Sequence, residues 1–405
     1  MTAPGTRTVV GLVIVLITLT SASMGLYLPS VPSMMRTLDT DFARVQLTLS
    51  VFLFGYGLFQ LVIGPLSDRH GRRVILVWSL VLYAVASLAC AVAPSIGLLI
   101  VARVFQSAGA CAALVVGRAV IRDTHTAAGV AQAFGYISTA MVMVPILAPI
   151  VGGQMDGWTG WRGNFVLMAL MGAAALAVLL IWLAETNMRR DPEAARPGRL
   201  ARNYTSLFAE PRYLSLMMVN AFTFAAVFAY SSSAPIVLID LLGVTPQQYG
   251  FLVAGPVAFF GVSAFITARI TARVGAIRMI EWGAIITAIS GLAMAGFALA
   301  GITVAGVLIA AVLVNFGAGF LIPNAQAVAV APYPHMAGTA SALTGAVQMI
   351  LAAVVGAIVG HFYDDSARPM GFGMAISGLA ALAFHIHARR RAARVSRSVP
   401  PAGSD

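Results

Sequence analysis

Long apolar runs recur along the chain, each about the length of one membrane crossing and separated by short polar breaks. They fall at 8–28, 46–66, 74–93, 95–116, 128–151, 164–184, 213–238, 248–268, 279–299, 302–324, 338–360 and 370–388. Roughly 20 helical residues cross a hydrocarbon core of about 30 Å. Each run therefore predicts one membrane-spanning helix, and the first reads as a span rather than a cleavable leader. Pro29, Pro32, Pro94 and Pro369 punctuate the runs, together with Gly-containing loops. One longer polar stretch, 185–212, separates an N-terminal bundle (1–184) from a C-terminal bundle (213–388). A basic tail, 389–405, ends in Pro, Ser and Gly and is expected to be disordered. The expected fold class is an all-α membrane protein with twelve transmembrane helices in two six-helix bundles.

Composition agrees with this. Of 405 residues, 60% are hydrophobic and 10% charged, too apolar for a soluble domain. The formal net charge of +11 raises the question of nucleic acid, and the placement of the basic residues answers it. All of them are Arg. One side of the predicted topology holds Arg7, Arg69, Arg72, Arg73, Arg118, Arg122, Arg189, Arg190, Arg196, Arg199, Arg202, Arg212, Arg269, Arg273 and Arg278, and the tail with Arg389, Arg390, Arg391, Arg394 and Arg397. The other side holds Arg36, Arg44, Arg162 and Arg368. The positive-inside rule then puts both termini in the cytoplasm, in a bacterial inner membrane, with lipid and not nucleic acid as the partner of the charge. Cys90 and Cys111 lie within apolar runs and read as packing residues.

The densest chemistry lies in Gly64-Pro65-Leu66-Ser67-Asp68-Arg69-His70-Gly71-Arg72-Arg73, between spans two and three. Gly64 and Gly71 permit a tight turn, and Asp68 can meet Arg or a helix N-terminus. Arg122 and Asp123 fall on the same side, so these groups form a candidate charge network. Arg103 is the one basic residue placed deep in a run, where a charge must face the interior and find partners. Pro145, Pro149, Gly152 and Gly153 combine a loosened helix with close packing. Tyr27, Gln106, Tyr230 and Gln348 are the candidate contacts for a small molecule in an apolar cavity.

The signature stretch resembles the G-x-L-x-D-R-x-G-R-R loop of the major facilitator superfamily. Further stretches are similar to drug:proton antiporters of the Bcr/CflA type. These are Tyr27-Leu28-Pro29-Ser30-Val31-Pro32, Val45 to Ser50, Arg103-Val104-Phe105-Gln106-Ser107-Ala108-Gly109, Arg122-Asp123, Pro145 to Gly153, Trp161-Arg162 with Phe165, Pro323-Asn324-Ala325 and Ala337 to Ala342. The resemblance implies a major facilitator fold, alternating access about a central cavity, and export of small lipophilic drugs, phenicols favoured, against protons. It implies that the charge network is a conformational latch, that Arg103 serves substrate binding or coupling, and that the Pro/Gly stretch is the antiporter motif. Gly25, however, stands where such exporters carry an Asp, two residues before Tyr27. A proton carrier would then be Asp240, Asp68 or Asp123, or the chain is an uncoupled facilitator.

An exporter of an endogenous metabolite, such as an amino-acid derivative, is the rival, with Arg103 as counter-charge to an anion. An enzyme is not expected. His70, His125, His335, His361, His385 and His387 are scattered, and His385 and His387 do not share a helix face. No cofactor or metal is called for, and a monomer is the default.

Overall fold

The computed structural model describes residues 6–188 and 190–398; expectations for Arg189 and for 399–405 lie outside the described residues, as do the side chains of Arg7, Arg391, Arg394 and Arg397. The elements in the first half are α1 (Thr6–Gly25), a 3-10 turn (Leu28–Ser30), α2 (Val31–Thr37), α3 (Phe42–His70), α4 (Arg72–Ala91), α5 (Ile96–Thr124), α6 (Ala127–Thr159) and α7 (Trp161–Trp182). A short helix, α8 (Pro197–Phe208), occupies the central segment. The second half contains α9 (Pro211–Pro235), a π-helical turn (Ile236–Leu241), α10 (Pro246–Val274), α11 (Ala276–Ala300), α12 (Val304–Val330), α13 (Ala337–His361) and α14 (Arg368–Ser398). Twelve helical segments are long and apolar enough to cross a membrane, as the apolar runs predict.

Local chemistry sets where these helices begin and end. Asp41, Ser95, Thr126 and Thr303 each accept a backbone N–H from the first turn of α3, α5, α6 and α12. Thr245 and Gln248 form a reciprocal capping box at α10, with Pro246 as its first residue. At the turns from α3 to α4 and from α10 to α11 the chain passes through Gly71 (φ 102°) and Gly275 (φ 92°), a conformation that a Cβ would strain.

Three sequence expectations are corrected. The tail does not leave helical conformation at 389: α14 continues through Ser398, because no breaker interrupts it before Pro400. Helix α5 runs on to Thr124, so Arg118 and Arg122 sit on a span helix and not in a loop. The fifth span does not stop at 151: α6 continues to Thr159 and includes Asp156.

The halves meet along two seams. Helix α3 lies against α13, with Gly57 facing the Ala346 carbonyl and Gly345 facing Gln60. Helix α6 lies against α10, with Val142 facing Gly261. Below, the end of the molecule carrying Gly64–Arg73 is called the signature face, and the other end the far face. At the far face the halves are also joined by Arg36 and Asp240 (Nη1 to Oδ1, 3.9 Å) and by the Phe42 and Tyr363 rings, 4.8 Å apart. At the signature face a cleft of about 380 Å³ lies between Pro65, Asp68, Arg72 and Asp123, the central segment, and Thr339 of α13.

Candidate functional site

Arg103 is 0% exposed and sits inside the N-terminal half. Its Nη1 donates to Gln106 Oε1 (2.5 Å), its Nη2 to the Ser23 carbonyl and Tyr27 Oη (3.1 Å each), and its Nε to the Thr48 carbonyl (3.3 Å). Its guanidinium carbon lies 4.1 Å from the Phe52 ring centroid and 4.6 Å from that of Tyr27. No carboxylate pairs with it among the described residues. Carbonyl dipoles and aromatic faces spread its charge, which tolerates burial better than an ammonium because guanidinium is weakly hydrated. Gln106 completes the network by donating Nε2 to Ser87 Oγ (2.8 Å). Tyr27 lies 3.2 Å from Thr48 Oγ1, which donates to the Val45 carbonyl. Tyr27 and Gln106, expected as substrate contacts, are instead sealed struts that hold Arg103 between α1, α3, α4 and α5. Apolar periodicity could not reveal this, because a polar side chain in a span can turn to a cavity or to a neighbouring helix.

The Pro/Gly stretch has a clear mechanical place. A Cβ on Gly152 would overlap the Leu26 carbonyl of the first half, and one on Gly153 would overlap the Pro246 carbonyl of the second. Two successive glycines thus let α6 touch the end of α1 and the start of α10 at backbone distance. Asn164 Nδ2 braces the same place, donating to Ser30 Oγ (3.0 Å) and the Gly152 carbonyl (3.3 Å). Gly25 belongs here too: a Cβ on it would lie 2.9 Å from Ala148 Cβ, so a side chain at 25 would press on α6. Asp240, in the π-helical turn, faces Arg36 across the seam.

At the signature face, Arg72 gathers the acids. Its Nη1 lies 2.5 Å from Asp68 Oδ1, its Nε 3.0 Å from Asp123 Oδ2, and its Nη1 also reaches Ser67 Oγ. Glu185, at the end of α7, accepts the backbone N–H of Arg72 (2.9 Å) and Arg73 (3.3 Å), an anion on the positive end of α4. Sequence reasoning passed over Glu185; the exposed N–H groups at Gly71–Arg73 were the available signal. Arg73 Nη2 reaches the Leu180 carbonyl (3.4 Å), while Arg69 and Arg122 are exposed and make no ion pair among the described residues. Gly64 packs toward Val115. This network ties α3, α4, α5 and α7 of one half together; it does not bridge the two halves.

Helix α8 does bridge them. Tyr204 Oη donates to the Leu61 carbonyl of α3 (2.7 Å), while Leu207 is buried in the cluster of the second half with Tyr213 and Leu343. Burial pushes the Tyr204 phenol up to about 12, so it stays a donor. Beside it, Arg199 hydrogen-bonds Asp191 (2.7 Å) and holds that carboxyl below its usual range.

In the second half, Tyr230 is buried with its hydroxyl unpartnered, and Gln348 is half-buried on α13. Neither joins the Arg103 or Arg72 groups.

The Major Facilitator Superfamily profile matches residues 13–357. The chain is 28% identical to a bicyclomycin resistance protein homolog of Haemophilus influenzae, covering 86% of this chain and 88% of that one. It is 30% identical to a chloramphenicol resistance protein of Pseudomonas aeruginosa, over 84% and 81%. Among solved structures, a bacterial homolog of the human lysosomal transporter Spinster superposes with a TM-score of 0.78 at 17% identity, covering 99% of this chain and 100% of that one. Twelve spans, a signature loop built around Arg72, and a profile match across most of the length together establish that this chain is a multi-pass membrane protein of the Major Facilitator Superfamily.

Proposed function

We propose that the chain is an inner-membrane efflux transporter that moves small lipophilic compounds, phenicol-like antibiotics first among them, out of the cell by alternating access. The observation that carries this reading is the asymmetry of closure. The far face is joined directly across the halves by Gly153 on Pro246, Arg36 with Asp240 and Phe42 with Tyr363, while at the signature face a cleft lies between the first half, the central segment and Thr339. Arg crowding at the signature face supports its being the cytoplasmic one, with both termini inside. On this reading cargo would load from the cytoplasm at the signature face. Likeness to bicyclomycin and chloramphenicol resistance proteins over more than four-fifths of the chain supports the substrate class.

Proton antiport would use Asp240. Protonation from outside would cancel its attraction to Arg36 and loosen the far-face seal, whereas Asp68 and Asp123 are already held by Arg72. Export of an acidic endogenous metabolite is the second reading, favoured by a different arginine described below.

The test is accumulation of labelled chloramphenicol in a pump-deficient bacterium, with and without a protonophore, for the unaltered chain and Asp240→Asn. Protonophore-sensitive exclusion that is lost in Asp240→Asn is expected. Unchanged accumulation with the chain present would overturn the phenicol assignment, and exclusion indifferent to the protonophore would overturn coupling.

A further inference from the structure

A second arginine of α5, Arg118, is held quite differently from Arg103. Both lie on α5, yet their surroundings differ. Arg103 is enclosed and fully engaged, whereas Arg118 is half-buried and makes neither an ion pair nor a carbonyl contact among the described residues. Its one hydrogen-bond partner among the described residues is a soft one, Met141 Sδ on α6, 3.6 Å from Nη2. A thioether is a weak acceptor and does little for a guanidinium.

Its position follows from the packing of α5. Gly117 faces Val13 and Leu16 of α1, Val115 lies over Gly64 of α3, and Gly109 meets Tyr83 of α4. Arg118 therefore points between α1 and α3 and reaches past α1 to α6. There α1 is open: a Cβ on Gly11 would meet nothing within 4 Å, and Val15 is 39% exposed. Arg118 is six residues from the signature-face end of α5, or roughly 9 Å along the helix. One turn nearer the signature-face end of α5, Arg122 is exposed and makes no ion pair among the described residues.

Arg118 Nε is buried without a hydrogen bond among the described residues. A buried donor left empty costs on the order of 1–3 kcal/mol, more when charged, so natural sequences retain one where something fills it. Among the described residues no acid pairs with Arg118: the span acids Asp68, Asp123, Asp156, Asp240 and Glu281 are engaged by Arg72, Ser33, Arg36 and Arg389.

We propose that Arg118 is the anchor of a substrate subsite for lipophilic carboxylates, its fork taking both carboxylate oxygens while the apolar body lies over Val15 and Met141. A planar guanidinium with free donors matches a carboxylate bidentately, and a half-desolvated setting strengthens the pair. The proposal rests on the transporter reading above and names a substrate class for its interior. It also gives the acidic-metabolite reading a counter-charge that the enclosed Arg103 does not supply.

The test is equilibrium binding to the purified full chain in detergent at pH 7.5, using 1-naphthoate, 2-naphthoate and biphenyl-4-carboxylate beside their methyl esters. The unaltered chain is expected to bind at least one acid saturably and at least tenfold more tightly than its ester. Arg118→Gln should lose that tenfold preference, and Arg118→Lys, which keeps charge without the fork, should recover part of it. Chromatographic monodispersity and thermal unfolding establish that each variant folds. Absence of saturable binding of all three acids by the unaltered chain, or acid binding by a folded Arg118→Gln within twofold of the original, overturns the proposal. Chloramphenicol exclusion by the unaltered chain, followed in parallel, reports on the transporter reading alone, so the two can fail separately.

Discussion

The two halves share a helix count and a turn but not a chemistry. Gly71 and Gly275 lead into α4 and α11 with nearly the same backbone, φ/ψ 102°/151° and 92°/140°. Around Gly71 stand Asp68 and Arg72; at the same distances from Gly275 stand Ala272 and Ala276. The first half also encloses Arg103 with four donor contacts, whereas the second has buried amides such as Asn315, which bonds only the Ala311 carbonyl of its own helix. The first half is therefore cross-braced by buried charge, while the second, whose ion pair among the described residues is the more exposed Arg389–Glu281 contact, coheres more through small residues at close range. Rocking motions need bodies that keep their shape against a partner that can slide. The braced half is suited to the first role and the smoother half to the second.

The largest break in this division comes from the seam between them. Gly153→Leu places a side chain against the Pro246 backbone, where overpacking costs at least ~1–3 kcal/mol. Chloramphenicol exclusion should fall below a tenth of the unaltered level. A cysteine introduced at Met24 should react with an impermeant maleimide at least tenfold faster, and unchanged labelling would show that the seam does not seal the far face. Next in size is bracing within each half. Arg103→Gln should lower stability by about 3 kcal/mol, since several hydrogen bonds to a charged group go at once, and Asn315→Ala by about 1 kcal/mol. Thermal unfolding in detergent decides; equal losses would erase the proposed contrast. The smallest effect should follow from transplanting the pair with Ala272→Asp and Ala276→Arg. An added pair near the surface contributes at most ~1 kcal/mol, while Arg72→Ala should cost more because Asp68 and Asp123 lose a shared partner. A transplant that stabilises as much as Arg72→Ala destabilises would mean that the turn, not its setting, carries the network.

Most of the fold was legible because a bilayer demands long apolar helices, and apolar length survives in any single sequence. The ends were less so. The apolar run 95–116 stops just before Gly117-Arg118, yet no helix breaker follows until Thr126 caps α6, so the helix persists through Arg118. In the central segment, Leu200, Tyr204 and Leu207 have helical spacing and Pro197 is a favoured first residue, but the surrounding arginines masked α8. Residue types at the site were readable, whereas directions were not. Tyr27 and Gln106 are polar residues in spans, as expected of contacts, yet both point at Arg103. Gly25 shows the same limit from the other side: it faces Ala148, so an acid at 25 would meet α6 rather than the enclosed arginine.

Enclosing Arg103 without a carboxylate has an electrical consequence. A whole elementary charge is fixed to the first half, seven residues in from the far-face end of α5, and travels with that half whenever it tilts. A charge crossing the full membrane voltage exchanges about 2.3 kcal/mol per 100 mV, so each tenth of the field traversed contributes roughly 0.2 kcal/mol. In the alternating-access cycle proposed above, the two orientations of the protein would thereby be weighted by the resting potential of the cell, and energising the membrane would bias the molecule before any proton or substrate binds.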